Sequence, residues 1–198
     1  MFSCFTQPVD VNVPTHLAII PGPVWLKNTE RLDLLIQWCL GKGIEELSFF
    51  AWPVAFWDTH DIQLLETYIG QLQCKNVSFR LVASSEFRLS TEMRLNCSKL
   101  HDSEAKLEVY LYVSYSFEED LESVQYGNQF KQLSKVPSSA SDPDLLVCTG
   151  GLYNLSGFCM ARLTKTTLLF SSVSFDVCDN EVWDDSIETY TTIKTLKP

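Results

Sequence analysis

Positive charge is scarce in this chain. Its 198 residues include 15 Lys and Arg against 25 Asp and Glu, a formal net charge of −10. No basic patch is available to neutralise nucleic-acid phosphates or to adhere to an anionic lipid surface. The chain also lacks any apolar run near the ~20 residues that span a bilayer. Its start, Met-Phe-Ser-Cys-Phe-Thr-Gln-Pro, has no basic stretch ahead of an apolar one, so the expectation is a chain that neither crosses a membrane nor enters the secretory pathway. The seven cysteines are odd in number and contain no Cys-x-x-Cys pair, which fits neither a disulfide framework nor a zinc site and predicts reduced, mostly buried thiols. On that reading the Asn-x-Ser triplets at Asn76, Asn96 and Asn154 are coincidences, because that pattern matters only in a secreted protein. The three histidines are scattered without ligand spacing, and neither a Gly-x-Gly-x-x-Gly turn nor a Lys-Ser/Thr phosphate loop is present.

What is there is an ordinary core: 45% hydrophobic and 20% charged residues, enough for one sizeable domain over 1–198. Residues 1–14 read as an N-terminal extension and 131–142, with Ser-Lys-Val-Pro-Ser-Ser-Ala-Ser, as a flexible loop. His16 to Ile20 is an apolar run closed off by Pro14 and by Pro21-Gly22-Pro23, hence a buried strand. From Glu30, Leu32, Leu34, Leu35, Ile36, Cys39 and Leu40 recur at helical spacing, with Gly41 and Gly43 as the stop. Glu46 to Phe50 reads as a second strand, and Asp58 opens a helix with Ile62, Leu64, Leu65, Tyr68, Ile69 and Leu72 on its apolar side. Asn76 to Ala83 alternates into a third strand, and a polar, unpatterned stretch runs to Ala105. Leu107 to Tyr115 is strongly β-branched and aromatic and leads to an acidic helix start at Glu118, Glu119 and Asp120. Leu145 to Val147 and Thr166 to Val173 complete the strands, and Asn180 to Ile193 is a C-terminal helix. Alternation of this kind implies an α/β fold, a mostly parallel central sheet flanked by helices on both faces.

Chemistry-bearing features are few. His16 heads an apolar strand and reads as structural. Gly150-Gly151 could cradle a phosphate, but without an accompanying motif it reads as a turn. The acidic run Glu118-Glu119-Asp120-Glu122 is accounted for by the helix dipole.

Four stretches, in order, resemble cis-prenyltransferases, the family that condenses isopentenyl diphosphate onto allylic diphosphates. His16-Leu-Ala-Ile-Ile20 with Trp25 is similar to the strand and turn that in active members carry Asp-Gly-Asn and an Arg-Trp pair. Phe50-Ala-Trp-Pro-Val-Ala-Phe-Trp57 resembles their Tyr-Ala-Phe-Ser-Thr-Glu-Asn-Trp. Tyr112-Val-Ser-Tyr115 and the acidic start after it resemble the strand ending in a Tyr-Gly-Gly-Arg-like turn. Asp142-Pro-Asp-Leu-Leu-Val147, then Thr149, Gly151, Leu155-Ser156 and Phe158, resembles Pro-Asp-Leu-Leu-Ile-Arg-Thr-Ser-Gly-Glu-x-Arg-Leu-Ser-Asn-Phe.

The resemblance implies a degenerate active site. Pro21, Gly22 and Pro23 stand at the aspartate motif that would help hold magnesium, and Val24 replaces the Arg before Trp25. Pro53 and Phe56 replace Ser and Asn, and Cys148, Leu152 and Asn154 replace the first Arg, the Glu and the second Arg of the last signature. Losing every charge that would neutralise a departing diphosphate removes the basis of that catalysis. The shortened segment after the first strand, Trp38-Cys39 followed by Gly43-Ile44, Gly157-Phe158 and Arg162-Leu163-Thr164 resemble the Nogo-B receptor branch, the non-catalytic subunits of dehydrodolichyl diphosphate synthase. That branch carries an Arg-x-Gly tail, whereas this chain ends in Thr-Leu-Lys-Pro198.

The function so implied is an accessory subunit of a heteromeric cis-prenyltransferase, supporting dolichol-type synthesis for protein glycosylation at the cytosolic face of the endoplasmic reticulum. Its partner would be a catalytic homologue holding the Mg, with no cofactor bound by this chain, no nucleic acid, and membrane association only through the partner or an anchor outside this chain. Phe158, Arg162, Phe170, Phe175 and Trp183 are its candidate contact residues, each aromatic being equally readable as core. The alternatives are a diverged prenyltransferase or terpene-cyclising enzyme using Phe50, Trp52, Phe56 and Trp57 to steer a carbocation, and a scaffold or receptor-like domain.

Overall fold

The structure is a computed structural model and describes residues 13–22, 25–51, 59–72, 76–83, 90–113, 115, 140–155, 157–158 and 162–196. The acidic start at Glu118 and nearly all of the 131–142 segment lie outside these residues, as do residues 1–12.

Six strands form one sheet: β1 (His16–Ile20), β2 (Glu46–Ala51), β3 (Val77–Ala83), β4 (Leu107–Val113), β5 (Leu145–Cys148) and β6 (Thr167–Phe170). Their order is β3-β4-β2-β1-β5-β6, and every pairing is parallel. All five residues of β1 are buried, which is why it reads as an unbroken apolar run rather than an alternating one. Pro14 and Pro21, which have no N–H for a ladder, stand on either side of it.

One face of the sheet carries the four described helices: α1 (Thr29–Lys42), α2 (Thr59–Gln71), α3 (Thr91–Lys99) and α4 (Asn180–Leu196). Leu32, Leu35, Ile36 and Cys39 of α1 are buried against it, but Leu34, one residue off the stripe, stands 54% exposed. Gly41 lies within the helix. Gly43, at φ 75°, ends it, with the amides of Gly43 and Ile44 closing on Leu40 and Cys39 carbonyls, a left-handed C-terminal cap.

In this layer the aromatic rings form a chain. Trp25, in a 3-10 turn over Trp25–Asn28, meets Phe49 edge-on at 4.9 Å, Phe49 meets Phe175 at 5.2 Å, and Phe175 leads to Trp183 and Trp38 at 6.1 and 6.4 Å. Edge-to-face pairs of this kind add about 0.5–1.5 kcal/mol each beyond their buried area. At the end of the chain, Asp184 of α4 accepts from the Trp38 indole N–H (2.9 Å) and pairs with Lys42 (2.7 Å), so α4 is clasped to α1.

Several elements differ from the sequence expectation: β2, β5 and α4 run on to Ala51, Cys148 and Leu196, and β4 ends at Val113 rather than Tyr115. β3 starts at Val77, because Asn76 adopts φ 65° and belongs to the preceding turn. β6 stops at Phe170, where the chain turns and Ser171 donates back to the Cys148 carbonyl. The stretch before Ala105 contains a helix, α3, capped by Ser90 accepting from the Met93 amide. Among the described residues no helix is long and apolar enough to cross a membrane.

Candidate functional site

From β1 the chain first builds outward through β2, then returns to add β5 and β6 on the other side. The reversal lies between β1 and β5. In open parallel sheets the crevice beyond the carboxyl ends of such a strand pair is where ligands bind. Here it is bounded by Pro21 and Gly22 after β1, and by Cys148 through Asn154 at the end of β5.

The backbone of this crevice is turned inward. The Thr149 amide donates to the Ile20 carbonyl (3.0 Å), Gly150 to Val173 (2.7 Å) and Gly151 to Ser171 (2.9 Å). Gly150 and Gly151 hold φ values of 73° and 69°, a conformation open to glycine at little cost. Consecutive amides of that kind would make an anion nest if they faced outward, but these already have carbonyl partners. Gly22 is also left-handed (φ 79°), and a methyl group added there would meet the Leu152 side chain at 3.5 Å. Leu152 therefore lies over Gly22. Burial pushes the Cys148 thiol up to about 11, leaving a neutral, inert sulfhydryl. Asn154 is exposed. Pro23, Val24, Pro53 and Phe56, with Trp52, Trp57 and Ser156, lie outside the described residues.

A magnesium ion calls for oxygen ligands including carboxylates. Among the described residues of the crevice none is a carboxylate, and no group of three or more His, Cys, Asp or Glu among the described residues of the chain is arranged to hold a metal ion. These residues do not fit the ion.

Beneath the crevice the second face of the sheet is filled. Phe158 packs against Phe50 (5.1 Å) and edge-on to Tyr112 (5.0 Å), and Tyr115 closes on Tyr112 (5.5 Å) and Phe50 (6.3 Å). Phe50, the one described member of the expected aromatic pocket, is fully buried against these rings.

The opposite end of the same face is polar, and sequence reading missed it. Across the strand starts His16 is in register with Glu46, Glu46 with Glu108, and Glu108 with Ser78. His16 is buried, with Nε2 2.8 Å from the Ser48 hydroxyl and Nδ1 3.0 Å from the Ser141 carbonyl. A carbonyl can only accept, so Nδ1 carries the proton and Nε2 accepts from Ser48. The Glu46 carboxylate, 3.5 Å from Nδ1, accepts the Ser141 amide (3.0 Å). Asp144 accepts from the amides of Thr15 (2.9 Å) and His16 (3.1 Å). The Ser48-His16-Glu46 arrangement has the outline of a hydrolytic triad, yet Ser48 is 1% exposed and no described cavity reaches its hydroxyl. The readable signal was the alternation of Glu46 and Ser48 on the same strand face as His16.

Of the candidate contact residues, Phe158, Phe175 and Trp183 are buried within the chain's own core. Arg162 is bound to Asp142 (2.8 Å) and to the Ala140 carbonyl. Phe170 is 42% exposed and stacks on the exposed Tyr153 at 5.9 Å, beside a groove between β6 and α4 floored by Val147, Leu169 and Val182.

No family model matches the chain. A curated relative, ditrans,polycis-undecaprenyl-diphosphate synthase ((2E,6E)-farnesyl-diphosphate specific) of Xanthomonas oryzae pv. oryzae, is 24% identical over an alignment 225 positions long, which covers 92% of this chain and 87% of that protein. A probable undecaprenyl diphosphate synthase from Campylobacter jejuni superposes with a TM-score of 0.71 at 21% identity, over 90% of this chain and 95% of that one. Lavandulyl diphosphate synthase from Lavandula x intermedia, solved with dimethylallyl diphosphate, gives 0.75 at 18% identity, over 92% and 97%. The fold is that of the cis-prenyltransferases, and the sequence match supports the same superfamily.

Proposed function

We propose that this chain is a non-catalytic subunit of a heteromeric cis-prenyltransferase, which pairs with a catalytic homologue in polyprenyl synthesis of the dolichol type at the cytosolic face of the endoplasmic reticulum. Its relatives are synthases by name, and this reading parts from them at the crevice. The observation that carries it is the lining of that crevice: Leu152 beside Gly22, and the Gly150 and Gly151 amides donated to Val173 and Ser171. Among the described residues there, a diphosphate would meet the Leu152 side chain and amides that already have partners, with no cation to compensate its charge. The burial of Phe50 under Phe158 and Tyr115 tells against a carbocation-steering enzyme. The exposed Phe170–Tyr153 pair beside β6 supports partner contact on that edge, with aromatic anchors of the kind that dominate interfaces.

The test is a prenyl-elongation assay with farnesyl and isopentenyl diphosphates and magnesium, on the chain alone and mixed with a catalytic cis-prenyltransferase from the same source. The expected outcome is no product alone, co-purification, and a raised rate in the mixture. Product from the chain alone would refute the proposal. Phe170→Asp, at an exposed position, is expected to leave the chain folded while weakening partner capture by about tenfold or more.

A further inference from the structure

We propose that the open edge of β6, in the groove beside α4, takes one more strand: an extended segment of a protein partner in which Lys or Arg alternate with aliphatic or aromatic residues. The inference deepens the partner reading above, on which it rests for placing a partner at this edge, and adds the chemistry of the segment that sits there.

The main chain of β6 is half used. Thr167 and Ser171 donate their amides to the Asp144 and Cys148 carbonyls on the β5 side. Backbone groups along a parallel strand face alternate edges, so Leu168 and Phe170 turn theirs the other way, where no further strand pairs among the described residues. β6 reads Thr-Leu-Leu-Phe, without the charge or proline by which sheet edges are commonly blunted. Leu168 and Phe170 are 38% and 42% exposed. An edge of this kind recognises an extended segment through its main chain and gains specificity from alternate side chains.

α4 supplies the charge. Val182, Asp185, Ser186 and Thr189, spaced as one helical face, line the groove with Val147 and Leu169. Along the rim run Glu181, Asp185 and Glu188, four and three residues apart and all exposed. Glu181 is in the first turn, where the helix dipole favours a carboxylate, but Asp185 and Glu188 lie past the reach of that effect. Like charges at this spacing repel and cost the helix a little stability. None of the three forms an ion pair among the described residues, whereas Asp184 on the neighbouring flank is paired with Lys42.

A strand laid against β6 puts alternate side chains on the two faces of the sheet. On the α4 face they meet the Leu169 and Val182 floor and then the carboxylates, which suits the aliphatic stem and cationic head of Lys or Arg. On the other face they meet Leu168, Phe170 and the Tyr153 ring stacked on it, which suits apolar side chains. A second copy of this chain fits less well. Pairing antiparallel through its own β6, it would bring its own α4 carboxylates to the same face, in a chain whose net charge is already −10.

The test is selection from a library of random peptides against the full chain, followed by amide-resolved hydrogen exchange with the winning peptide. Winners are expected to alternate Lys or Arg with aliphatic or aromatic residues, and to bind less well as salt rises. With free peptide about tenfold above its Kd, exchange at the Leu168 and Phe170 amides is expected to slow by about tenfold. Asp185→Lys is expected to weaken the same peptide by about fivefold or more. Leu168→Pro, which removes an amide that β5 does not use, is expected to abolish binding. Methylating alternate backbone nitrogens of the peptide is expected to do the same, a result that needs no variant to fold. Acidic winners, winners that leave Leu168 and Phe170 unprotected, or no winners at all would overturn the proposal, as would a dimer of this chain that Leu168→Pro takes apart. The subunit reading fails separately: co-purification with the catalytic homologue but no peptide at the edge removes the strand and keeps the subunit, and the peptide without that co-purification does the reverse.

Discussion

The two ends of the sheet's second face differ in kind. At the strand starts His16, Ser48, Glu46 and Ser141 are bonded to one another, with Asp144 and Arg162 beside them. At the strand ends, where this architecture ordinarily does its chemistry, stand Ile20, Pro21, Gly22, Cys148 and Leu152 over a pack of Phe50, Tyr112, Tyr115 and Phe158. Among the described residues, polarity gathers at the end that holds the fold together and is sparse at the end that could hold a ligand.

Four substitutions or conditions would break or sharpen that contrast. The largest loss is expected from Phe158→Ala, since a fully buried ring contacting three others leaves a cavity at the apolar end. Urea denaturation should register a loss of about 3–5 kcal/mol, and a loss under 1 kcal/mol would mean that end is loosely packed. Lowering the pH tests the polar end. His16 binds protons with a value of about 4 folded and 6.5 when free, so between those limits the unfolded chain holds more protons and stability rises with pH. The stabilisation is complete above 6.5 and is lost as pH falls towards 4, by roughly 2–3 kcal/mol. Matched melts of wild type and His16→Gln isolate it from Glu46, whose raised value acts in the opposite sense. Asp144→Ala, which strips the Thr15 and His16 amides of their acceptor, should cost about 1–3 kcal/mol in the same denaturation series. Thr149→Val should fall within about 1 kcal/mol, because its hydroxyl bond to the Ile20 carbonyl is long (3.3 Å) and duplicates that of its own amide; a larger loss would give the apolar end a polar role.

Much of the fold could be read from the sequence, for reasons the structure makes plain. β1 and the strong run of β4 are buried at every or nearly every position, so composition alone marked them. α4 was marked by Trp183, Ile187 and Tyr190 recurring at helical spacing, all buried. α3 escaped because Met93 is its one residue seen to be buried while Leu95 points to solvent at 56% exposure; a nine-residue helix that docks by so little apolar surface leaves no period to detect. Leu34 misled for the converse reason, an apolar side chain on an exposed turn. At the candidate site the sequence showed which charges were missing, since absences can be read from identity alone. It did not show the His16 network, because that depends on the register of β1 against β2 and on a strap 125 residues further along the chain.

The central place of β1 also sets a timetable. Its amide at His16 is capped by Asp144, 128 residues later, and one whole edge of the strand pairs only with β5. At synthesis rates of about 5–20 residues per second, the ribosome needs roughly 6–26 seconds to supply that second neighbour. For that interval a strand that is apolar at four of its five positions has one edge uncovered, the kind of unpaired edge that makes a partly made chain prone to aggregate.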